Sequence, residues 1–190
     1  VRDLFPPIKG LAECWGISVI HCPYCHGYEF KGAKTGIMAN GERALHLASL
    51  VSNLTDQLTV LTNGPADFAP EQLEKLKRHN INTSEEKVTK IDHINGHIKS
   101  VELDSGTAIA FDAVYASVPF VQHTNIAEAL GCQLTEQGHI SVDPFQKTNV
   151  SDIFACGDCA SPMRSVANAV ASGSIAGAMV NKELSDIDFA

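Results

Sequence analysis

The sequence is short of positive charge. Lys and Arg number 14 against 22 Asp and Glu, a formal net charge of -8, and a surface that tracks a nucleic-acid backbone needs the opposite balance. Long apolar runs are missing too: nothing approaches the stretch of about 18 apolar residues that a membrane-spanning helix requires. The opening Val1-Arg2-Asp3-Leu4-Phe5-Pro6-Pro7 lacks the build of a signal peptide and carries no initiator Met. The chain is therefore expected to begin inside a longer protein and to work in the cytoplasm. Its six cysteines, at positions 14, 22, 25, 132, 156 and 159, are too few and too unevenly spaced for a disulfide scaffold. In a reducing compartment a persisting disulfide is catalytic or sensing. Internal repeats and low-complexity tracts are absent. What the chain does have is 44% hydrophobic residues over a length of 190, enough to bury a sizeable core.

Against this background one stretch stands out: Cys22-Pro23-Tyr24-Cys25-His26-Gly27, which follows the apolar Ile17-Ser18-Val19-Ile20. Two cysteines three apart can close a small disulfide and reopen it as a dithiol. The pair becomes redox-active when its surroundings stabilise one thiolate. Pro23 has no backbone donor and suits the first position of a helix. That sets Cys22 at a helix N-terminus, where unpaired N–H groups favour an anion. His26 adds a group able to carry a proton near neutral pH. The same letters fit other chemistries. CPYCH has the CxxCH form of a haem attachment site, which needs export. Cys22, Cys25, Cys156 and Cys159 make two CxxC pairs, the spacing of a four-thiolate zinc site. A pair of unreactive thiols satisfies the pattern as well. Cys14 and Cys132 read as plain buried hydrophobes.

The rest of the pattern is α/β. Residues 1–13, with Pro6, Pro7 and Gly10, read as a connector. Strands are expected at 17–20, 34–39 and 58–61, and a helix over 42–53, where Ala44, Leu45, Ala48, Leu50, Val51 and Leu54 form one apolar stripe. This β-α-β order is the mononucleotide-binding unit, with its right-handed crossover. A second helix follows at 70–79, and a strand-rich section begins at Ile81 and Val88. The clearest hairpin lies within 96–111, around the turn Asp104-Ser105-Gly106. A strand at 113–118 stops at Pro119, and a helix at 125–130 ends at Gly131. Further strands are expected at 138–143 and 153–158. The last helix, 164–182, is rich in Ala and Gly, so another backbone or a bound molecule can approach it closely.

Taken in order, three motifs resemble the pyridine-nucleotide–disulfide oxidoreductases of the low-molecular-weight thioredoxin reductase type, in particular a subgroup that includes dithiol oxidases. The first is Trp15-Gly16, a strand and CPYCHG. The second is the β-α-β unit, with Gly41 and Ala44 in the latter half of a GxGxxA pattern. The third is Phe154-Ala155-Cys156-Gly157-Asp158, followed by Arg164-Ser165-Val166. The resemblance implies a Rossmann-like, three-layer nicotinamide-binding domain at 1–119 that carries the CxxC. Residues 120–190 would be the C-terminal part of a split FAD-binding domain, whose GxGxxG fingerprint is expected before Val1. It also implies roles. Cys22 exchanges with the substrate, Cys25 faces the flavin, and His26 stands where the reductases carry a proton-moving aspartate. Gly41 and Ala44 serve the nicotinamide cofactor. Gly157 and Asp158 serve the flavin, Asp158 accepting a hydrogen bond from its ribityl chain, and Arg164, Ser165 and Val166 open the helix that faces the isoalloxazine ring. Cys156 and Cys159 fall in the same flavin-side turn.

The implied activity is electron transfer between NADPH or NADH, FAD and the Cys22–Cys25 pair, and on to a thioredoxin-like protein or a small disulfide, in a protein that is a homodimer at full length. The alternatives are an FAD-dependent dithiol oxidase that passes electrons to oxygen, and an isolated fragment without chemistry. Two departures from the reductases bear on that choice. Ala39 and Asn40 stand where a first glycine should admit a pyrophosphate. No Arg or Lys occurs between Leu61 and Lys75 to hold the 2′-phosphate of NADPH. Ser117-Val118-Pro119 also replaces a segment that usually contains glycine. NADPH is accordingly expected to serve no better than NADH.

Overall fold

From the N-terminus, strand β1 (Arg2–Asp3) is followed by helix α1 (Leu11–Cys14), strand β2 (Val19–Ile20) and helix α2 (Pro23–His26), which runs into a 3-10 turn at Gly27–Phe30. Strand β3 (Thr35–Met38), helix α3 (Gly41–Val51), strand β4 (Leu58–Leu61), helix α4 (Pro70–Arg78) and strand β5 (Asn82–Ser84) come next. Then come β6 (Val88–Ile94), β7 (His97–Leu103), β8 (Ala108–Ala110), β9 (Ala113–Ala116) and β10 (Phe120–Val121). Helix α5 (Ile126–Ala129), a 3-10 turn at Gly157–Cys159 and the long helix α6 (Val166–Asp188) complete the chain. The computed structural model describes all 190 residues. They divide into two units, Phe5–Val118, and Val1–Leu4 with Pro119–Ala190. The first four residues, expected in a 1–119 domain, thus fold with the second unit, because β1 pairs antiparallel with β10 through Arg2↔Val121 and Asp3↔Phe120.

In the unit Phe5–Val118, five strands form a parallel sheet in the order β2-β9-β3-β4-β5. Every residue of β3 and β9 is buried, as central parallel strands covered on both faces require. Strand alternation divides the side chains between two cores. Ile20, Ile37, Val60 and Tyr115 pack against Ala44, Leu47, Ala48 and Val51 of α3. Val19, Met38, Leu61 and Val114 meet Val88, Ile91, Ile98 and Val101 of the antiparallel sheet β6-β7-β8. Each aliphatic side chain buried in this way contributes roughly 1.5–3 kcal/mol. The result is the Rossmann-like α/β architecture in three layers: helices, parallel sheet, antiparallel sheet.

Several local readings change. The presumed connector holds β1 and α1, and it joins the antiparallel sheet through a bridge between Lys9 and Lys90. The hairpin read at 96–111 is the second of two. The first turns at Asn95-Gly96, both at positive φ (50° and 80°), the conformation that a two-residue turn between twisted strands demands. Ser18, expected inside a strand of 17–20, instead precedes the short β2. Its buried hydroxyl donates to the Gly96 carbonyl (2.6 Å) and accepts from the Ile98 N–H (2.9 Å).

In the second unit, the strands expected at 138–143 and 153–158 are reduced to single bridges, Leu134↔Ile140 and Lys147↔Phe154. The cause is local. Asp143 folds its carboxylate back to accept the N–H groups of Phe145 (2.8 Å) and Lys147 (2.9 Å), which turns the chain before a ladder can extend. Helix α6 begins after Ser165, whose hydroxyl caps it by accepting the Asn168 N–H at 3.1 Å, and continues past Lys182 to Asp188. No helix is long and apolar enough to cross a membrane.

Candidate active site

Cys22 leaves β2 by way of His21 and forms the N-cap of α2 in an extended conformation (φ −125°, ψ 118°), with Pro23 at the first helical position. Its carbonyl accepts the N–H groups of Cys25 (3.2 Å) and His26 (3.3 Å). That single turn brings the two thiols together. A side-chain hydrogen bond to Cys22, then burial, then the charge of Cys22 push the Cys25 thiol up to about 11. A thiolate on Cys22 therefore keeps a proton on Cys25. Cys25 is the exposed member of the pair and Cys22 is half-buried, so exposure does not favour Cys22 as the exchanging thiol.

The surroundings are mostly aromatic. Tyr24 and Tyr28 are 82% and 81% exposed on α2 and the turn after it, and Trp15 packs near His21 with ring centroids 6.3 Å apart. His26 lies 3.5 Å from the Glu29 carboxylate in an open i,i+3 pair, an arrangement worth about 0–1 kcal/mol. Glu29 was not singled out in the sequence, although its spacing from His26 was legible. Tyr115 was missed without any local signal. It lies beneath α2, where a Cβ added at Gly27 would come within 3.2 Å of its hydroxyl.

At the β3–α3 turn, Asn40 accepts the N–H of Gly41 and that of Asp67, each at 2.9 Å, and donates to the Pro65 carbonyl at 2.8 Å. The loop after β4 is thereby clasped over the start of α3. Gly41 has φ +55°, and a Cβ there would lie 3.2 Å from the Asp67 carbonyl oxygen and 3.4 Å from its carboxylate. Ala44 is fully buried against the sheet. At the end of β4, Thr62 donates to the Gly64 and Ser84 carbonyls, and Asn63 accepts the Val88 N–H.

In the second unit, Gly157 (φ +77°) donates its N–H to Ser172 at 3.0 Å, which pins the Gly157–Cys159 turn to α6. Asp158 is exposed, and Val166 is 82% exposed at the start of α6. Arg164 is held by two neighbours. Its guanidinium lies 2.7 Å from the Asp3 carboxylate and 4.9 Å from the centroid of the Phe120 ring. The structure thus holds Gly157, Asp158, Ser165 and Val166 along one turn-and-helix junction, while Cys22, Cys25 and His26 share α2 in the other unit.

Residues 2–173 match the family model described as pyridine nucleotide-disulphide oxidoreductase. The chain belongs to that family. It is 31% identical to the thioredoxin reductase tcpT of Claviceps purpurea over 97% of this chain and 60% of that protein. Among solved structures it is 34% identical to an oxidoreductase from Agrobacterium tumefaciens, with a TM-score of 0.87 over 97% of this chain and 62% of that one. Its TM-score to the structure of HlmI is 0.90 at 28% identity, over 99% of this chain and 59% of that one. The chain therefore spans about three fifths of the length of these relatives.

Members of this pyridine nucleotide-disulphide oxidoreductase family generally imply FAD and NAD(P)H, and the two fare differently here. The exposed Asp158 carboxylate makes no hydrogen bond within the protein, and it stands on a turn held rigid by Ser172. Those residues fit a flavin's hydroxyl-bearing chain, with Val166 at the open end of α6. The nicotinamide site does not fit. A dinucleotide's pyrophosphate needs a bare turn and the first N–H groups of the helix. Asn40 occupies the first of these, and Asp67 sets a carboxylate over the glycine where a dianion would sit.

Proposed function

We propose that the complete protein is a flavin-dependent disulfide oxidoreductase that takes electrons from a dithiol through the Cys22–Cys25 pair, rather than from a nicotinamide. The observation that carries this reading is the Asn40–Asp67 clasp over the β3–α3 turn. The partner is a thioredoxin-like protein or a small dithiol, with oxygen as the final acceptor in the oxidase form of the reaction.

In that direction a substrate thiolate attacks the Cys22 sulfur of the Cys22–Cys25 disulfide. The S–S bond breaks, Cys25 leaves as a thiolate, and a substrate–Cys22 disulfide forms. The second substrate thiol, deprotonated by His26 or solvent, attacks the substrate sulfur of that bond, which releases Cys22 and the oxidised substrate. Two electrons have entered the pair, which ends with Cys22 as a thiolate and with the proton taken from the second substrate thiol on Cys25. The proton balance follows from the local charges. While Cys22 is bonded to substrate it carries no charge, so two of the three causes that raise Cys25 vanish and Cys25 becomes a better leaving group. Once Cys22 is free again, its charge and hydrogen bond return the proton to Cys25. The chemistry that a bound FAD adds is two-electron acceptance, by which the dithiol returns to the disulfide.

The test is anaerobic stopped-flow reduction of the complete, flavin-loaded protein by NADPH, NADH and dithiothreitol. The dithiol is expected to bleach the flavin fastest, with the two nucleotides slow and equal. A clear tenfold advantage of NADPH over NADH would return the protein to the NADPH-driven reductase reading. Asp67→Asn keeps the backbone clasp and removes the charge, and it is expected to tighten both nucleotides by roughly tenfold.

A further inference from the structure

Tyr115 is the largest of the fully buried side chains, with 1% of its surface exposed, and its hydroxyl has no hydrogen-bond partner. Buried phenols normally find one, because an orphaned hydroxyl gives up its water for nothing. A phenylalanine would fill the same space without that cost. The position of the hydroxyl indicates what it serves. In the parallel pairing of β2 with β9, Ile20 stands opposite Tyr115. The chain leaves β2 by a bend at His21 and reaches Cys22 two residues after Ile20, close enough for the charge of Cys22 to act on the Tyr115 phenol. The ring of Tyr115 reaches from there to the underside of α2. Its hydroxyl lies 3.2 Å from where a Cβ on Gly27 would be, and that same point is 3.8 Å from the Cβ of Pro23, the residue after Cys22.

We propose that the Tyr115 hydroxyl is the hydrogen-bond donor to the Cys22 thiolate in the dithiol state, reached by rotation of the Cys22 side chain about its Cα–Cβ bond. The phenol is neutral across the physiological range; burial and then the charge of Cys22 both push its pKa up, so it is a donor and not a competing base. No other charge rivals Cys22 for it. The inward residues of α3 are Gly41, Ala44, Leu47, Ala48 and Val51, and β3 carries Thr35, Gly36, Ile37 and Met38, none titratable. The remaining titratable groups nearby are Cys25 and His26 on α2, Glu29 in the turn after it, and His21 before Cys22. A disulfide sulfur has little use for a donor, whereas a thiolate gains from one. The hydroxyl therefore favours the reduced, ionised form of the pair and supports the attacking form of Cys22.

This inference rests on the reading that Cys22 and Cys25 are redox-active, and one experiment separates the two. In a Cys25→Ser background, the rate of Cys22 alkylation by iodoacetamide is followed against pH in the reduced chain and located by mass spectrometry of the Cys22 peptide. Tyr115→Phe is expected to raise the midpoint by about one pH unit, tenfold less thiolate below it, with the melting temperature unchanged or higher. Gly27→Ala, whose methyl group would displace the Leu54 side chain (Cδ1 2.6 Å away) and stand 3.2 Å from the phenol oxygen, is expected to shift the midpoint in the same direction. A depressed midpoint that neither substitution moves overturns the role of Tyr115 and leaves the redox reading intact. A midpoint near the ordinary thiol value of about 8.5 in every variant overturns both. A purely structural role would lower the melting temperature without moving the midpoint.

Discussion

His139 is buried with its ring 4.7 Å from that of Phe120, and its Nε2 has no partner. Burial and then the neighbouring Arg164 charge hold it below its ordinary value of 6.5. In the unfolded chain the same imidazole takes up its proton near 6.5. Folding therefore excludes a proton that the unfolded state binds, and stability is lost as pH falls from about 6.5 through the lowered folded value. The melting temperature is expected to fall more steeply between pH 7 and pH 5.5 in the native chain than in His139→Gln. Parallel curves for the two would show that this histidine does not carry the acid sensitivity. The same scale governs Cys25, whose proton is held by one neighbour, Cys22. The CxxC spacing made that pairing legible. The site of His139 was not legible, because no spacing rule ties it to Phe120 or Arg164, which lie beyond the reach of any single helix or hairpin.

At the scale of elements, short pieces of structure depend on single side chains that bind them together. Ser18 is the clearest case: it ties the start of β2 to the Asn95-Gly96 turn and to the first peptide groups of β7. Ser18→Ala would leave a buried N–H and a buried carbonyl unpaired, at a cost of roughly 1–3 kcal/mol. Urea denaturation would read that loss as a lower midpoint at unchanged slope, and an unchanged midpoint would mean that the two groups find other partners. The β-α-β core was read almost to the residue, since α3 has a one-sided apolar stripe and β3 and β4 are short runs of apolar and β-branched residues. The strands expected near 140 and 155 failed for the opposite reason. Their sequences suit extended chain, but Asp143 and the turns beside it satisfy the peptide groups before a second strand can.

For the whole molecule, the two units differ in how much apolar surface they bury. Phe5–Val118 contains two extensive cores, one on each face of the parallel sheet. The other unit has one small cluster around Cys132, Ile140 and Ala155, and α6 leaves Val166, Val170, Leu184 and Ile187 largely exposed. Fewer buried contacts mean cheaper local opening. Hydrogen exchange on the 190-residue chain is expected to protect β3, β4 and β9 longest, and to show the amides of 130–160 exchanging markedly sooner. Uniform protection across both units would contradict this.

The sequence by itself determined the CxxC with its helix-starting proline, the β-α-β core and the ordered motifs that identify the family. Each of these is a local pattern of spacing or periodicity. Only the tertiary structure decided what those patterns can do. It paired β1 with β10, seated Arg164 on Asp3, closed Asp67 over Gly41 and slid the Tyr115 hydroxyl under the helix that follows Cys22. In three of these four the partners are some 80 to 160 residues apart, too far for spacing to record them. Asp67 stands nearer Gly41, but a loop's path over a helix start is set by the strand that feeds it, not by its own residues. A motif shows which groups are present, and packing settles which of them are still free to bind.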